Sequence, residues 1–418
     1  MTPSTVLLIG TLDTKGPETA YLRDQVRELG CQTLVLDSGI LGKAVGLEAD
    51  FSREVVAQTA GSTIEALRNA GTRGKAVEEM LKGVRKITLD LVQQGKIHGV
   101  VSLGGAEGAV LAASAMKALP IGFPKLIVSP LASGHRKFAP FVGTKDVMVM
   151  HSVVDILGLS PISQKVFDNA AAAIAGMAQV YAAKVHTYTT GRELPISRKA
   201  IAATMLGNTT RPLMHIRPKF EAQDTDFVIF HANGVGGAAM EELIEQGCFT
   251  AVLDYTLSEV AGYIAGGFHN AGATRLDAAA QAGIPQVVVP GCLDFMVFGA
   301  KHEVPEQFRE RPMYYHNPEF TLVRLTPDEQ MQATLFVTEK LNQAWGPVTV
   351  IVPLGGGSIM DIAGGDFWLP EVNRRCYDAL RDGLNDQIRY QEIDAHINDP
   401  GFAEAAYEAL MQITENVY

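Results

Sequence analysis

Cysteine is scarce in this chain: only Cys31, Cys248, Cys292 and Cys376 occur among the 418 residues, and no two form a Cys-x-x-Cys pair. This scattered pattern excludes a disulfide framework and argues against a structural zinc site. It is typical of a protein kept in a reducing compartment. No basic leader precedes the first apolar run, and we therefore expect a cytoplasmic location.

Positive charge is also in short supply, because 35 lysines and arginines face 46 aspartates and glutamates, a net charge of −11. A groove for nucleic acid or a face for anionic lipid needs clustered Lys and Arg, so we expect neither partner. No apolar run reaches the roughly 18 residues of a membrane span. A phosphorylated small molecule stays compatible with the charge, since it needs only a few local donors.

Glycine, by contrast, is abundant, with 41 residues, and hydrophobic residues make up 47% of the chain. Short apolar runs alternate with helical patterns, and glycine-rich polar loops follow the apolar runs. This alternation predicts an α/β fold with mostly parallel sheets. The length favours two domains. We predict two Rossmann-like subdomains, residues 1–195 and 200–418, joined by a linker near residues 191–197, with an interdomain cleft at the strand ends. We expect helix from about residue 371 to 416.

One glycine turn organises the second half. Residues 227–230 form an apolar run, His231-Ala-Asn-Gly-Val-Gly-Gly237 follows, and a helix with Met240, Leu243 and Ile244 on one face comes next. This arrangement predicts a phosphate cradle, because glycines admit an anion to the backbone and a helix N-terminus attracts it. The alternative is a tight turn without a ligand. The turn has neither the lysine of a P-loop nor the full dinucleotide spacing.

Two loops of the first half offer further candidates. Thr11, Asp13, Thr14 and Lys15 follow the apolar run 6–9, where ligands bind in open α/β sheets. Asp13 or Thr14 capping the next helix is the alternative. Gly104 and Gly105 follow a second run, and nearby Glu107 could face magnesium, accept a hydrogen bond from a ribose, or be a solvated first-turn glutamate.

The second half adds a glycine loop and four acids at or just beyond strand ends. The candidate phosphate donors of this half are Asn233, Gly234, Gly236, Gly237, Gly355, Gly356, Gly357 and Ser358. The candidate bases or metal ligands are Asp254, Glu259, Asp294 and Asp361. Each acid could equally orient a loop, and spacing alone assembles no catalytic set from them.

The motifs together resemble the Tm-one-like ATP-binding protein family. The segments that carry the resemblance span the chain and are 9–16, 103–108, 231–237, 290–295 and 353–358. The resemblance implies two Rossmann-like subdomains, ATP binding with magnesium, and a homodimer. Lys15 would then neutralise phosphate charge, and Asp13 or Glu107 could face magnesium. The plant member carries a further C-terminal barrel-type domain, so a separately encoded barrel-domain partner is a further expectation.

Three kinds of function remain open from the sequence. The first is a protein that binds ATP, with or without an ATP-dependent reaction on an unknown substrate. The second is an enzyme that acts on a nucleotide sugar. The third is an interaction protein whose assembly a nucleotide regulates. An NAD-dependent dehydrogenase is a weaker fourth, because no turn shows Gly-x-Gly-x-x-Gly with an acid about 20 residues later.

Overall fold

The computed structural model describes residues 4–132, 139–188 and 199–415. The chain divides into two compact units, Met1–Pro195 and Ile196–Tyr418, and each is treated by itself below. The expected linker at residues 191–197 lies outside the described residues, and the predicted interdomain cleft stays a prediction. In the described part of the chain, no helix combines the length and apolar character that crossing a membrane requires.

The first unit is a doubly wound α/β structure. Its five strands all run parallel in the order β2-β1-β3-β4-β5. The strands are β1 (Thr5–Gly10), β2 (Gln32–Asp37), β3 (Gly99–Leu103), β4 (Lys125–Ser129) and β5 (Met148–His151). The helices are α1 (Leu12–Glu28), α2 (Arg53–Thr59), α3 (Ile64–Arg68), α4 (Arg73–Gln93), α5 (Ala106–Lys117), α6 (Ala139–Val142) and α7 (Pro161–Tyr188).

Strand β1 is apolar throughout because both faces of the sheet are covered. Leu7 and Ile9 pack into one hydrophobic core, whereas Val6 and Leu8 pack into another. Successive side chains of a strand point to opposite faces, so a fully buried parallel strand reads as a continuous apolar run. That is why the sequence predicts this strand well.

The second unit contains a parallel sheet of six strands and an antiparallel sheet of three. The parallel sheet has the order β14-β13-β9-β8-β6-β7 and the antiparallel one β10-β12-β11. The strands are β6 (Ala200–Met205), β7 (Asp226–His231), β8 (Ala251–Asp254), β9 (Gln286–Val288), β10 (Phe295–Phe298), β11 (Met313–Asn317), β12 (Phe320–Arg324), β13 (Val348–Pro353) and β14 (Arg389–Ile393).

Seven α-helices of the second unit are described, together with three short 3-10 turns at Gly207–Thr209, Lys301–Glu303 and Glu306–Phe308. The helices are α8 (Thr210–Glu221), α9 (Gly236–Glu245), α10 (Ser258–Ala265), α11 (Asp277–Ala282), α12 (Pro327–Leu341), α13 (Pro370–Gly383) and α14 (Pro400–Glu415). The expectation of continuous helix over 371–416 is wrong, because β14 lies between α13 and α14. Strand β14 is a half-exposed edge strand, so its sequence lacks the apolar run of a buried one.

Both units use the same strand order. Counted along the chain within its own parallel sheet and taken from β7, the second unit has the order second, first, third, fourth and fifth strand, as in the first unit, and β14 adds a sixth strand at the far edge. The predicted α/β fold with two mostly parallel, Rossmann-like sheets is confirmed. In this order the second strand lies on one side of the first strand, and the third strand lies on its other side. A crevice for a ligand is expected where the direction changes.

Candidate functional site

A cavity of about 740 Å³ opens at this switch point in the first unit. Its walls come from the segments that follow β1, β2 and β3 and from the connection between α3 and α4. The lining residues are Thr11, Asp13, Thr14, Lys15, Ser38, Gly39, Ile40, Leu41, Leu67, Arg68, Asn69, Gly71, Thr72, Ala76, Val77, Gly105, Gly108 and Leu111. The volume suits a ligand of the size of a nucleotide.

One part of the wall is built to receive an anion. Lys15 stands at a kink in α1, with φ −129° and ψ 20°, and its ammonium has no hydrogen bond or ion pair within the described residues. The hydroxyl groups of Thr11 and Thr14 lie 3.0 Å apart beside it. Helix α5 starts after Gly105, and no side chain caps its N-terminus. An uncapped helix start offers free N–H groups and the positive end of the helix dipole.

Another part of the wall is apolar. Ile40 and Leu41 come from the loop after β2, Leu67 from α3, Val77 from α4 and Leu111 from α5. Leu41 is 66% exposed, although its backbone amide is held by a hydrogen bond to Asp13. Binding pockets commonly combine such apolar surface with a few polar groups that set orientation.

Asp13 lines the cavity, but its contacts are neither those of a helix cap nor those expected of a magnesium ligand. Its Oδ2 atom accepts hydrogen bonds from the amides of Leu41, at 3.1 Å, and Gly42, at 3.0 Å. The guanidinium of Arg53 lies 3.7 Å away. No side chain caps α1, so Asp13 is no helix cap. A carboxylate that is occupied by two amides and faces an arginine is also a poor magnesium ligand.

The two glycines of the loop after β3, Gly104 and Gly105, differ in their roles. A Cβ atom on Gly104 would lie 2.8 Å from the amide nitrogen of Ala109, so this glycine allows the backbone to pack closely. Gly105 has nothing within 4 Å of such an atom and opens on the cavity. The side chain of Glu107 lies outside the described residues, and its predicted role stays a prediction.

The predicted phosphate cradle of the second unit already holds an anion, the carboxylate of Glu259. Its Oε1 atom accepts hydrogen bonds from the amides of Gly234, at 2.8 Å, and Gly237, at 3.0 Å. A Cβ atom on Gly236 would lie 1.9 Å from the carbonyl oxygen of His231, and one on Gly237 would lie 1.8 Å from Glu259. Packing within the chain therefore requires glycine at positions 236 and 237. The amides of Gly234 and Gly237 already donate to Glu259 and are not free to bind a phosphate.

Glu259 belongs to a buried ionic cluster around Arg275. The guanidinium donates to Asp254 at 2.6 and 2.7 Å, to Glu259 at 3.1 Å and to Glu241 at 3.1 Å. The side chain of Arg275 is fully buried, and those of its three partners are at most 9% exposed. Asp254 and Glu259 were candidate catalytic acids. Because Arg275 engages both away from solvent, the structure gives them a structural role instead.

The glycine loop 355–358 is also turned toward the protein interior. A Cβ atom on Gly355 would lie 2.6 Å from the amide of His396, and one on Gly356 would lie 1.6 Å from the carbonyl oxygen of Asp361. The Gly357 amide donates to Asp361 at 2.9 Å, and the Ser358 hydroxyl donates to Asp294 at 2.8 Å. These donors hold buried carboxylates of the chain, as the cradle of Glu259 does.

Asp294 and Asp361 are both buried and lie beside a void of about 10 Å³. Burial and the nearby Asp361 charge raise the pKa of Asp294 to about 7. Burial also raises the pKa of Asp361, which accepts two hydrogen bonds from the Asn373 amide group. The Oδ1 atom of Asp294 is buried and has no partner. The void is too small for any ligand larger than one water molecule.

Of the predicted site residues, the structure brings Thr11, Asp13, Thr14, Lys15 and Gly105 together at one cavity. The candidates of the second unit lie in or beside the separate buried clusters described above, except Asn233, whose side chain is exposed. Within residues 4–132, 139–188 and 199–415, no group of three or more His, Cys, Asp or Glu side chains is arranged to hold a metal ion. Sequence reasoning missed the cavity residues Ile40, Leu41 and Arg68, which follow no motif.

The fold and the cavity define a doubly wound α/β protein with a crevice at the switch point of one sheet. The chain belongs to the uncharacterised protein family UPF0261: the family's N-terminal domain matches residues 4–183, and its C-terminal domain matches residues 198–414. A UPF0261 protein of Clostridium tetani is 39% identical, with 98% of this chain and 99% of that protein covered.

The expected kinship with the plant protein is confirmed as well. The ToMV resistance protein Tm-1(GCR237) of Solanum lycopersicum is 34% identical over 98% of this chain and 56% of its own length. Among solved structures, a putative UDP-N-acetylglucosamine 2-epimerase from Listeria monocytogenes is 13% identical, with a TM-score of 0.24, over 69% of this chain and 79% of that one. A likeness this low bears on no functional question.

Proposed function

We propose that the protein binds a phosphorylated nucleotide, ATP in the first instance, in the cavity of its first unit. One observation carries the proposal: Lys15 and the uncapped N-terminus of α5 converge on an open cavity at the switch point between β1 and β3. Doubly wound sheets bind nucleotides in this crevice. The second unit has the same strand order, but in its described residues Arg275 and its carboxylates fill the buried space beside β8.

The cavity lining has polar groups that suit the phosphates of a nucleotide and apolar groups that suit its base. Lys15, the threonine hydroxyls and the start of α5 would hold the phosphates, since cations and free amides are the donors that anions prefer. The apolar side chains of Ile40 and Leu41 would hold the base. Magnesium, if it accompanies the phosphates, would keep most of its waters, because Asp13 is occupied and the described residues offer no preformed metal site.

Replacing Lys15 with methionine tests the proposal. We expect ATP binding to weaken about 10- to 100-fold, because a hydrogen bond to a charged group contributes about 1.5–3 kcal/mol. Isothermal titration of the full chain with ATP, with and without magnesium, measures the effect. Lys43→Met is the matched control: Lys43 is exposed on the loop after β2 and does not line the cavity. This control should bind ATP as the wild type does.

Two results would overturn the proposal. One is a wild-type protein that shows no heat and no thermal stabilisation with ATP at millimolar concentration. The other is equal loss of affinity in Lys15→Met and Lys43→Met, which would locate the binding elsewhere. A UDP-sugar titrated in parallel separates the alternatives. If it binds tightly and ATP does not, the protein is a nucleotide-sugar protein with the same cavity.

A further inference from the structure

We propose that Asp13 is a positioning residue that fixes the apolar wall of the cavity, and that this wall receives an apolar or aromatic group of the ligand. The inference rests on the proposed function and extends it. The ligand would carry its phosphates at Lys15 and α5 and a base, or a group of similar polarity, against Ile40 and Leu41. Asp13 touches neither part of the ligand in this arrangement.

The contacts of Asp13 all lead to the loop after β2. Its Oδ2 atom accepts from two successive loop amides, those of Leu41 and Gly42, and its side chain is only 6% exposed. A Cβ atom on Gly39 would lie 2.8 Å from Asp13 Oδ1, and one on Gly42 would lie 3.0 Å from Asp13 Cβ. The loop therefore folds closely around this carboxylate, and two glycines are what permits the approach.

Two arginines also hold this loop. Arg53 is buried, donates to Asp37 Oδ2 at 2.9 and 2.6 Å, and also donates to the carbonyl oxygen of Gly42. Arg68 donates to the carbonyl oxygen of Ile40 at 2.8 Å. Asp37 in turn accepts from the amide of Leu12 at 3.1 Å, which ties the loop to the start of α1. A loop with this many fixed backbone groups is rigid before any ligand arrives.

A rigid loop that exposes a leucine at a cavity is the feature that points to a ligand. Leu41 leaves 66% of its surface uncovered although its amide is held by Asp13. The half-buried Val77 adds apolar surface to the same cavity, whereas Leu67 and Leu111 line it but are each only 2% exposed. Covering such surface with an apolar group favours binding, because it removes apolar surface from water. Different residues would bind the phosphates and the apolar group of the ligand, so the two contributions to affinity can be separated by mutation.

Inorganic triphosphate is the probe that separates them, since it has the phosphates of ATP and nothing for the apolar wall. In the Asp13→Ala protein, we expect ATP to bind about 10-fold more weakly, while the affinity for inorganic triphosphate changes less than about twofold. Asp13→Asn should stay within about threefold of the wild type, because its amide oxygen still accepts from the loop. Lys15→Met should weaken both ligands. Titration calorimetry on the full chain, with each of the two ligands, measures all three variants against the wild type.

Leu41→Ser makes the test independent of folding, because the side chain is exposed and its loss disturbs no core. It should reproduce the selective loss of ATP affinity. Equal losses for ATP and triphosphate in Asp13→Ala or Leu41→Ser, or unchanged ATP affinity in both, would overturn this inference and leave the proposed function standing. Wild-type protein that binds neither ligand would overturn the proposed function and this inference with it.

Discussion

Replacing Arg275 with methionine is expected to lower the free energy of unfolding of the second unit by about 3–5 kcal/mol. The side chain of Arg275 is fully buried and is the shared partner of Asp254, Glu259 and Glu241. Methionine fills much of the same volume but carries no charge. Three carboxylates would then lie together in the interior without a cation, and uncompensated buried charge is among the most destabilising changes known in proteins.

Urea unfolding of the full chain at pH 7, followed by tryptophan fluorescence and circular dichroism, measures the loss. Arg217→Met is the matched control, because Arg217 pairs with Glu221 on the surface of α8, where both side chains are about half exposed. An exposed pair of this kind contributes about 0–1 kcal/mol. Similar unfolding midpoints for Arg275→Met and Arg217→Met would show that the buried cluster does not stabilise the unit as described.

Adding Asp254→Asn to Arg275→Met sharpens this prediction. Asp254 accepts two of the four hydrogen bonds from the guanidinium, as well as one from the Thr204 hydroxyl at 2.6 Å. The loss of Arg275 should therefore destabilise the charged form of Asp254 more than that of the other two carboxylates. Because the substitution removes a stranded charge, the double variant should be more stable than Arg275→Met alone, although Asp254→Asn alone destabilises. Such non-additivity is expected only between groups in contact.

The sequence predicts the first-unit cavity in part, for a reason visible in the topology. Thr11 and Lys15 follow one apolar run, and Gly105 follows another, and the carboxyl ends of parallel strands lie at one edge of a sheet. Strands β1 and β3 turn out to be neighbours, so these residues meet at one cavity. Strand order itself has no signature in a single sequence, and the switch point could not be placed before the structure was known.

The glycine turn at 231–237 shows where such reading fails. A backbone that curls around a carboxylate needs the same glycines and the same free amides as one that curls around a phosphate. Here the anion is Glu259, which lies 25 residues beyond Gly234 along the chain. Arg275, its partner, lies in no motif. Local pattern reveals an anion cradle, but only long-range packing decides whether the anion is a ligand or a side chain.

Asp13 illustrates the same limit inside the cavity. Its place after β1 suggests a ligand or a helix cap, yet its partners are amides 28 and 29 residues away. The antiparallel sheet β10-β12-β11 was not predicted either: β11 is largely exposed and carries no apolar run, whereas β10 and β12 are buried but only four and five residues long. Sequence periodicity reports burial, so elements at an edge or on the surface leave little trace in it.

Replacing Asp294 with asparagine is expected to stabilise the second unit, and to do so by about 1–3 kcal/mol more at pH 8 than at pH 5. Burial, with the charge of Asp361 second, raises the pKa of Asp294 from its ordinary value of 3.8 to about 7. Arg324 acts in the opposite direction but does not cancel burial. The neutral form of Asp294 therefore fits the folded protein better than the charged form does.

The sign follows from proton binding. Between about pH 4 and pH 7 the folded protein keeps a proton on Asp294 that the unfolded chain has already released. Stability from this group is thus fully present below the unfolded pKa and is lost as pH rises to 7, where it levels off. Asparagine is neutral at every pH and can still accept the hydrogen bond from Ser358. The difference in stability between variant and wild type should accordingly grow from pH 5 to pH 8.

Asp361→Asn is the contrasting variant for the same measurement, urea unfolding at both pH values. The Asp361 carboxylate accepts from the Gly357 amide at 2.9 Å and from the Asn373 amide group at 2.8 and 3.0 Å. An amide NH₂ in its place would face donors, so this variant should lose about 1–3 kcal/mol. Asp294 has an unpartnered Oδ1 atom instead, where an NH₂ group meets no such donor. If Asp294→Asn is as unstable as Asp361→Asn at pH 8, Asp294 is a needed carboxylate and not a neutral acid.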